Sequence, residues 1–145
     1  MLSDSKAADQ RTRPFSQVLS RLRNSGLRPT RQRLALAKLL YDREGFRHVT
    51  AEVLHDEAHM AGTRVSLATV YNTLHQFTTA GLLREIEVDS GRTFFDTNVC
   101  NHYHFYHEKD GRLEDIAHDS LSLSCLPEPP QGTKVTRVDI IIRVA

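Results

Sequence analysis

The sequence predicts an α+β protein: an N-terminal winged helix-turn-helix domain followed by a small α/β dimerisation domain. Apolar residues recur with helical spacing through the first half, and a short hairpin signal follows the last helical segment. Beyond Asn98 the pattern changes to short runs typical of strands. We expect a disordered arm over 1–14, the winged-helix domain over 15–97, and the dimerisation domain over 98–145, with a hinge near Asn98.

Capping residues mark the ends of the predicted helices. Gly26 ends a first amphipathic helix, and Thr30 begins a second. Thr50 begins a third helix, and Ser66 begins a fourth that Gly81 ends. These signals predict four short helices before the hairpin.

The fourth predicted helix has two contrasting faces. Its inner stripe is apolar and consists of Leu67, Val70, Leu74 and Phe77. Its outer face carries hydrogen-bonding groups and consists of Thr69, Tyr71, Asn72, His75 and Gln76. The runs Leu83–Val88 and Arg92–Phe95, joined by Asp89-Ser90-Gly91, predict a hairpin. In winged-helix proteins the last helix enters the major groove while the hairpin flanks the phosphates, although similar cores also dock proteins.

The distribution of charge favours DNA as the partner. Residues 1–43 hold ten Lys or Arg and three Asp or Glu, whereas the whole chain has a net charge of only +1. The remaining 102 residues therefore carry a net charge of −6. A basic first third is the electrostatic footprint of a polyanion-binding segment, although solvated helix faces produce the same composition.

The second half predicts a small sheet. His102–Glu108 and Arg112–Ile116 form a predicted strand pair that turns at Lys109-Asp110-Gly111. A short helix is expected over Asp119–Leu126, and a strand over Lys134–Val144. Because so short a segment cannot bury a core alone, we expect a homodimer, with a tetramer as the alternative.

A histidine-rich strand predicts a metal site. His102, His104 and Tyr106 share one face of an extended segment, and Asp96 lies nearby in the sequence. Imidazole with carboxylate suits Zn, Fe or Mn, although a polar strand with solvated histidines has the same pattern. His107 points to the opposite face and is a weaker candidate.

Composition argues against several other classes of protein. The apolar runs are too short to span a membrane, and the N-terminus lacks an apolar signal core, so a cytoplasmic protein is expected. Cys100 and Cys125 form no CxxC pair. The segment His55-Asp-Glu-Ala-His59 fails the metalloprotease signature, which places Glu directly after the first His. We expect no enzyme, and treat His55 and His59 as an accessory metal pair or a solvated face.

Several motifs in order resemble one known family. They are Gly26-Leu-Arg-Pro-Thr-Arg-Gln-Arg33, His48-Val-Thr-Ala-Glu52, Ser66-Leu-Ala-Thr-Val-Tyr-Asn-Thr-Leu74, Ala80-Gly-Leu-Leu83, Phe95-Asp96 and the histidine-rich strand. Together they resemble the ferric uptake regulator (Fur) superfamily over about residues 15–145. Within it, Phe95-Asp-Thr-Asn98 and the CxxC-free C-terminal part look most like the iron response regulator (Irr) branch.

The resemblance implies specific site residues. It matches His48, Asp96 and His104 to positions that bind a regulatory metal, and His102 to the start of the histidine-rich run. The next regulatory histidine of the family falls at or near Tyr106. The resemblance also implies DNA contacts, with Arg28 in a groove, Tyr71 and Asn72 on the recognition helix, and Thr30, Arg31, Arg33, Ser66 and Thr69 at phosphates.

The implied function is iron-responsive transcriptional control. A regulator of this kind binds palindromic A·T-rich operator DNA as a dimer, often as a repressor, and controls iron and haem homeostasis genes. The implied cofactor is one divalent metal per subunit (Fe, Mn or Zn), with haem as a further ligand and no four-cysteine structural zinc. Tyr103 interrupts the three consecutive histidines of the Irr branch, and Leu126 separates Cys125 from Pro127 where a Cys-Pro haem motif would stand. The alternative function is peroxide sensing by metal-catalysed oxidation.

Overall fold

The computed structural model describes residues 14–145, apart from Ser90, His118 and the side chains of Pro14 and Phe15. The arm predicted for residues 1–14 lies outside the described residues, except for Pro14, where the first helix begins. The chain divides into two compact units, one ending at Val99 and the other running from Cys100 to Ala145.

The first unit contains four helices among its described residues. They are α1 (Pro14–Asn24), α2 (Arg31–Tyr41), α3 (Ala51–Met60) and α4 (Leu67–Thr79). The predicted caps are confirmed, because the hydroxyls of Thr30, Thr50 and Ser66 accept the backbone N–H of the residue three positions later. Gly26, with φ +79°, takes the left-handed conformation expected after α1.

A three-stranded antiparallel sheet completes the first unit. Its strands are β1 (His48–Val49), β2 (Arg84–Asp89) and β3 (Arg92–Asp96), in the order β1-β3-β2. The predicted hairpin is therefore confirmed as β2 and β3. Strand β1 was not predicted, since two residues carry no detectable alternation, yet it pairs His48 with Asp96 of β3.

The core of the first unit joins its helices to the sheet. Leu36, Leu54, Leu74 and Phe77 from three helices pack with Phe95 of β3, and all are nearly inaccessible to solvent. Burial of each such side chain contributes about 1.5–3 kcal/mol. This packing fixes α4 against the sheet.

The inner stripe of α4 differs from the prediction at two residues. Leu67, in the first turn, is 38% exposed, whereas Thr73 is buried between Val70 and Phe77. The Thr73 hydroxyl is satisfied because it donates to the Thr69 carbonyl at 2.8 Å, so a polar residue can occupy the core-facing position.

The second unit is a three-stranded mixed sheet. Its strands are β4 (His104–His107), β5 (Arg112–Asp115) and β6 (Ile141–Val144), in the order β5-β4-β6. Strand β5 is antiparallel to β4, and β6 is parallel to it. Tyr106, Leu113 and Ile116 are its most buried apolar residues.

The helix predicted over Asp119–Leu126 is wrong. Residues 121–130 have no regular secondary structure, and the strand predicted over Lys134–Val144 forms only at Ile141–Val144. Alternating serines favour local turns over helix, and Pro127, Pro129 and Pro130 exclude a continuing helix. The α+β class holds for the chain, but the described part of the second unit contains strands only. None of the described helices has the length and apolarity to cross a membrane.

Candidate metal ligands and DNA-facing surface

Two histidines and one carboxylate converge within the second unit. Oδ1 of Asp115 lies 3.3 Å from Nε2 of His102 and 3.2 Å from Nε2 of His104. The two imidazole rings are 4.4 Å apart between centroids. The side chains of His102 and His104 are only 10% and 3% exposed, whereas that of Asp115 is 47% exposed, so two buried imidazoles meet a carboxylate that solvent still reaches.

The backbone orients the His102 ring. Its Nδ1 lies 2.7 Å from the carbonyl oxygen of Cys100. A carbonyl can only accept, so Nδ1 carries the hydrogen, and in the neutral ring Nε2 presents its lone pair toward the Asp115 carboxylate. Two lone pairs at this distance repel unless a proton or a metal cation lies between them. Metal-binding histidines commonly donate their other ring N–H to a carbonyl in this way.

Sequence reasoning missed Asp115. Both strands and the turn between them were predicted, and counting back from the turn pairs His107 with Arg112 and His104 with Asp115, as observed. Applying this strand register to the sequence would have identified the Asp115 carboxylate as a neighbour of His104. Tyr106, at the expected position of a further histidine, instead lies 4% exposed with the Arg143 guanidinium 5.5 Å from its ring centroid.

The first unit offers a second pair of donors. His48 of β1 lies opposite Asp96 of β3, and a ligand atom of each lies within 4.8 Å of the other. Asp96 is fully buried, and its Oδ1 accepts the Asn98 N–H at 2.8 Å. A buried carboxylate of this kind requires compensation by hydrogen bonds or a cation.

Arg47 anchors the short strand that carries His48. Its guanidinium donates two hydrogen bonds to the Glu57 carboxylate, at 2.8 and 3.0 Å, and one to the Leu39 carbonyl. Its backbone N–H donates to the Thr97 hydroxyl at 2.9 Å, and its carbonyl accepts the Thr97 N–H. The position of His48 is thus set by α2, by α3 and by the residue that follows β3.

The donors in both units fit a divalent transition metal. Imidazole nitrogens with carboxylate oxygens suit Zn²⁺, Fe²⁺ or Mn²⁺. Cys100 and Cys125 are both exposed, and neither forms a disulfide in the described part of the chain. His55 and His59 lie on α3, but no group of three metal-binding side chains in the described part of the chain includes either. The accessory site therefore stays a prediction that rests on two ligands.

The outer face of α4 is accessible, as a DNA-reading surface requires. Asn72, His75 and Gln76 are exposed. The hydroxyl of Tyr71 donates to Oε1 of Glu52 at 2.7 Å, and this hydrogen bond is the main cause that raises the pKa of Tyr71. The Tyr71 ring is stacked on His75, with centroids 6.4 Å apart.

The predicted phosphate contacts lie at helix N-termini. Thr30 and Arg31 begin α2, and Ser66 precedes α4, where backbone N–H groups attract anions. Arg28, Thr30, Arg31 and Ser66 are exposed, and Thr69 is half-buried with its hydroxyl 2.8 Å from that of Ser66. Arg33 differs from the others, because its guanidinium is bonded to groups of the protein.

Comparison with known proteins gives a consistent result. The pattern of the "Ferric uptake regulator family" matches residues 24–141. The chain is 32% identical over 107 residues to the "Peroxide-responsive repressor PerR" of Staphylococcus epidermidis, which covers 74% of this chain and 70% of that protein.

Solved structures of this family share the fold. The ferric uptake regulator from Pseudomonas aeruginosa with manganese is 25% identical, with a TM-score of 0.63, over 87% of this chain and 95% of that chain. The Vibrio cholerae ferric uptake regulator is 22% identical, with a TM-score of 0.66, over 85% and 95% of the two chains. These likenesses confirm the predicted α+β fold class.

Proposed function

The chain belongs to the ferric uptake regulator family, and from this membership we propose that it is an iron-responsive regulator that binds palindromic A·T-rich operator DNA as a homodimer. As a member of the family it is a metal-responsive transcriptional regulator, which agrees with the prediction that it is not an enzyme. The iron and haem homeostasis genes are the proposed targets.

The arrangement of His102 and Asp115 carries the metal-sensing part of this proposal. Because the Cys100 carbonyl accepts the hydrogen of Nδ1, the neutral His102 ring presents the lone pair of Nε2 toward the carboxylate oxygen, 3.3 Å away. His104 presents its own Nε2 to the same oxygen. A divalent cation at this place would be attracted by the carboxylate oxygen and by the ring nitrogens together.

In the proposed switch, a bound divalent metal ion is the signal. We propose as metal ligands the residues His48 and Asp96 of the first unit and His102, His104 and Asp115 of the second. The support is that imidazole nitrogens and carboxylate oxygens are the donors that these metals take. When bound, the ion would favour the arrangement of the protein that binds it more tightly and would thereby change its affinity for DNA.

The DNA-binding part rests on charge and on exposed polar groups. Residues 1–43 carry a net charge of +7, and the accessible face of α4 presents Asn72 and Gln76 beside Tyr71. Neutralisation of phosphates by such a basic segment supplies most of the affinity and makes it dependent on salt.

Calorimetry with Mn²⁺, supported by elemental analysis, tests the metal site. We expect one ion per chain, and a loss of affinity of about 100-fold or more in His48→Ala, His104→Ala and Asp115→Asn, because each removes a ligand. His107→Ala is the matched control, since His107 lies on the same strand but on its other face, 2.7 Å from Glu114.

The DNA-binding response completes this test. Wild-type protein should bind its selected duplex with an affinity that changes when Mn²⁺ or Fe²⁺ is added, whereas His104→Ala should not respond. Unchanged metal affinity in both His104→Ala and Asp115→Asn would disprove the proposed site. If the affinity of the wild type for DNA did not depend on metal, the proposed metal response would be wrong and only the DNA-binding function would remain.

Peroxide sensing is a second candidate function. A relative that is 32% identical is named a peroxide-responsive repressor, and Cys100 is exposed two residues from His102. Peroxide added to the Fe²⁺-loaded protein should then add one oxygen atom to a histidine or to Cys100 within residues 93–109. Mass spectrometry of that tryptic peptide, with Mn²⁺-loaded protein as control and His107 as an internal reference, distinguishes a peroxide sensor from a simple iron sensor.

Haem is the other ligand that the Irr resemblance suggests. Irr-type regulation would make the protein active under iron limitation and inactive when haem is plentiful. Absorbance titration with haem should then show saturable binding that weakens in His102→Ala. Binding that is unchanged in this variant would remove the histidine-rich strand as the haem site.

A further inference from the structure

Arg33 uses its guanidinium to connect three parts of the first unit. Its Nε and Nη2 both donate to Oε1 of Gln76 on α4, at 3.2 and 2.9 Å. Its Nη1 donates to the carbonyl oxygen of Arg28, at 2.9 Å. The first turn of α2 is thus bonded both to the α1–α2 loop and to the outer face of α4.

The loop that Arg33 holds is the one that carries Arg28. The same Arg28 carbonyl also accepts the Thr30 N–H at 2.9 Å, and Leu27 packs partly on the core. Between this loop and α4 lies an open groove of about 680 Å³, lined on the loop side by Ser25 and Leu27 and on the helix side by residues that include Gln76. The hydrogen bonds of Arg33 to Gln76 and to the Arg28 carbonyl, called the Arg33 bridge below, therefore connect the α1–α2 loop to α4 across this groove.

We propose that Arg33 is a positioning residue, which holds the Arg28 loop at a fixed place relative to α4, and that it is not primarily the phosphate contact predicted from the resemblance. This inference rests on the proposed DNA binding. Arg28 and the exposed face of α4 must contact the same duplex. If the α1–α2 loop is already ordered in the free protein, DNA binding loses less conformational entropy than it would with a disordered loop. Gln76 has the same positioning role, because its Oε1 accepts hydrogen bonds from two of the guanidinium N–H groups of Arg33.

The planar guanidinium, with its N–H donors in a fixed geometry, distinguishes a positioning role of Arg33 from the role of a simple positive charge. Lys keeps the charge but concentrates its donors on one nitrogen, so it cannot reach both acceptors in the geometry of a guanidinium. Arg33→Lys should therefore weaken DNA binding about tenfold, nearly as much as Arg33→Met. Gln76→Leu should have a similar effect, and the Arg33→Lys/Gln76→Leu double variant should be little worse than either single variant.

The salt dependence separates the two roles. The duplex is the one that wild-type protein selects from a randomised library, and affinity is measured over a range of salt concentrations. Arg33→Met should leave the slope of log affinity against log salt unchanged, whereas loss of a phosphate contact would reduce its magnitude by about 0.9. Arg31→Met, two residues away on α2, is the matched control, and it should reduce the slope without coupling to Gln76→Leu.

Hydrogen exchange tests the bridge without DNA. The Thr30 amide, which donates to the Arg28 carbonyl, should exchange faster in Arg33→Lys and Gln76→Leu than in wild type. A wild-type protein that selects no duplex would overturn the proposed function, while this exchange result would still test the bridge. A reduced salt slope in Arg33→Met, full activity of Arg33→Lys, or unchanged exchange would overturn the positioning role.

Discussion

At the residue scale, the Tyr71 hydroxyl faces two competing partners. In the free protein it donates to the Glu52 carboxylate at 2.7 Å. An approaching phosphate would compete for the same hydroxyl and would be repelled by the same carboxylate. If Tyr71 contacts DNA, as the family resemblance implies, Glu52 would oppose that contact.

Replacing this carboxylate should strengthen DNA binding. We predict that Glu52→Gln raises affinity several-fold at low salt, because the repulsion between like charges is removed. Asp56→Asn, which removes a charge from the same helix at a residue whose side chain is 82% exposed, is the control. An equal gain in both variants would indicate a general charge effect, which a fluorescence anisotropy titration would reveal.

Tyr41 gives the stability of the protein a dependence on alkaline pH. Its hydroxyl donates to the Leu82 carbonyl at 2.6 Å, and burial raises the pKa of Tyr41 well above its usual value, with Arg21 opposing this in part. The folded protein therefore keeps the proton at pH values where the unfolded chain loses it, so stability falls as pH rises above about 10.

Tyr41→Phe tests this dependence. The variant loses a buried hydrogen bond and leaves the Leu82 carbonyl without it, so it should be less stable at pH 7 by about 1 kcal/mol. Its further loss of stability above pH 10 should be smaller than that of wild type. Urea denaturation at pH 7 and pH 10.5 measures both effects, and parallel losses would show that Tyr41 does not cause the alkaline sensitivity.

At the scale of elements, the start of α4 depends on its cap. The Ser66 hydroxyl accepts the Thr69 N–H at 3.1 Å, which satisfies a backbone donor that the helix itself cannot. Ser66→Ala should cost about 1 kcal/mol of stability. Ser20→Ala, in the interior of α1, should be neutral or slightly stabilising, since its hydroxyl donates only to the Ser16 carbonyl on an exposed surface. Thermal unfolding compares the two, and equal effects would count against the cap.

The strands that carry the candidate metal ligands show how strand register positions side chains. Antiparallel pairing places Asp115 opposite His104 in the second unit, and Asp96 opposite His48 in the first. A one-residue slip would turn either partner to the other face of its sheet. Both donor pairs therefore depend on register as much as on residue type.

At the scale of the whole molecule, we expect the second unit to depend on a partner for its stability. Its described residues form three strands, and residues 122–137 are all exposed, including Leu123, Leu126 and Val135. Few units of this size bury enough surface to offset their conformational entropy. The exposed apolar residues are suited to pairing with a second copy.

Light scattering tests this oligomeric state. We expect a homodimer, and we expect Val135→Asp to shift it towards monomer, because a carboxylate would be desolvated in the interface. Val53→Asp is the control, since Val53 is 47% exposed on α3 of the first unit. A monomeric wild type at all concentrations would disprove the dimer, and a tetramer would indicate a second interface.

Local patterns were sufficient to predict most of the first unit. The hydroxyls that cap α2, α3 and α4, and the turn between β2 and β3, act over three or four residues, so a single sequence reveals them. The same reasoning failed over Asp119–Leu126, where a short helix was expected but serines and the prolines that follow disfavour one. Strand β1 escaped prediction because two residues pair only through a distant partner.

The sequence by itself determined the residue types and local elements: the basic first third, the capped helices, the hairpin and a strand with closely spaced histidines. Only the tertiary structure decided which groups meet. It placed Asp115 against His102 and His104, Glu52 on the Tyr71 hydroxyl, and Gln76 within reach of Arg33. The physical reason is range: propensity and capping act within one turn, whereas hydrogen bonds across 19 or 43 residues exist only once the chain has packed.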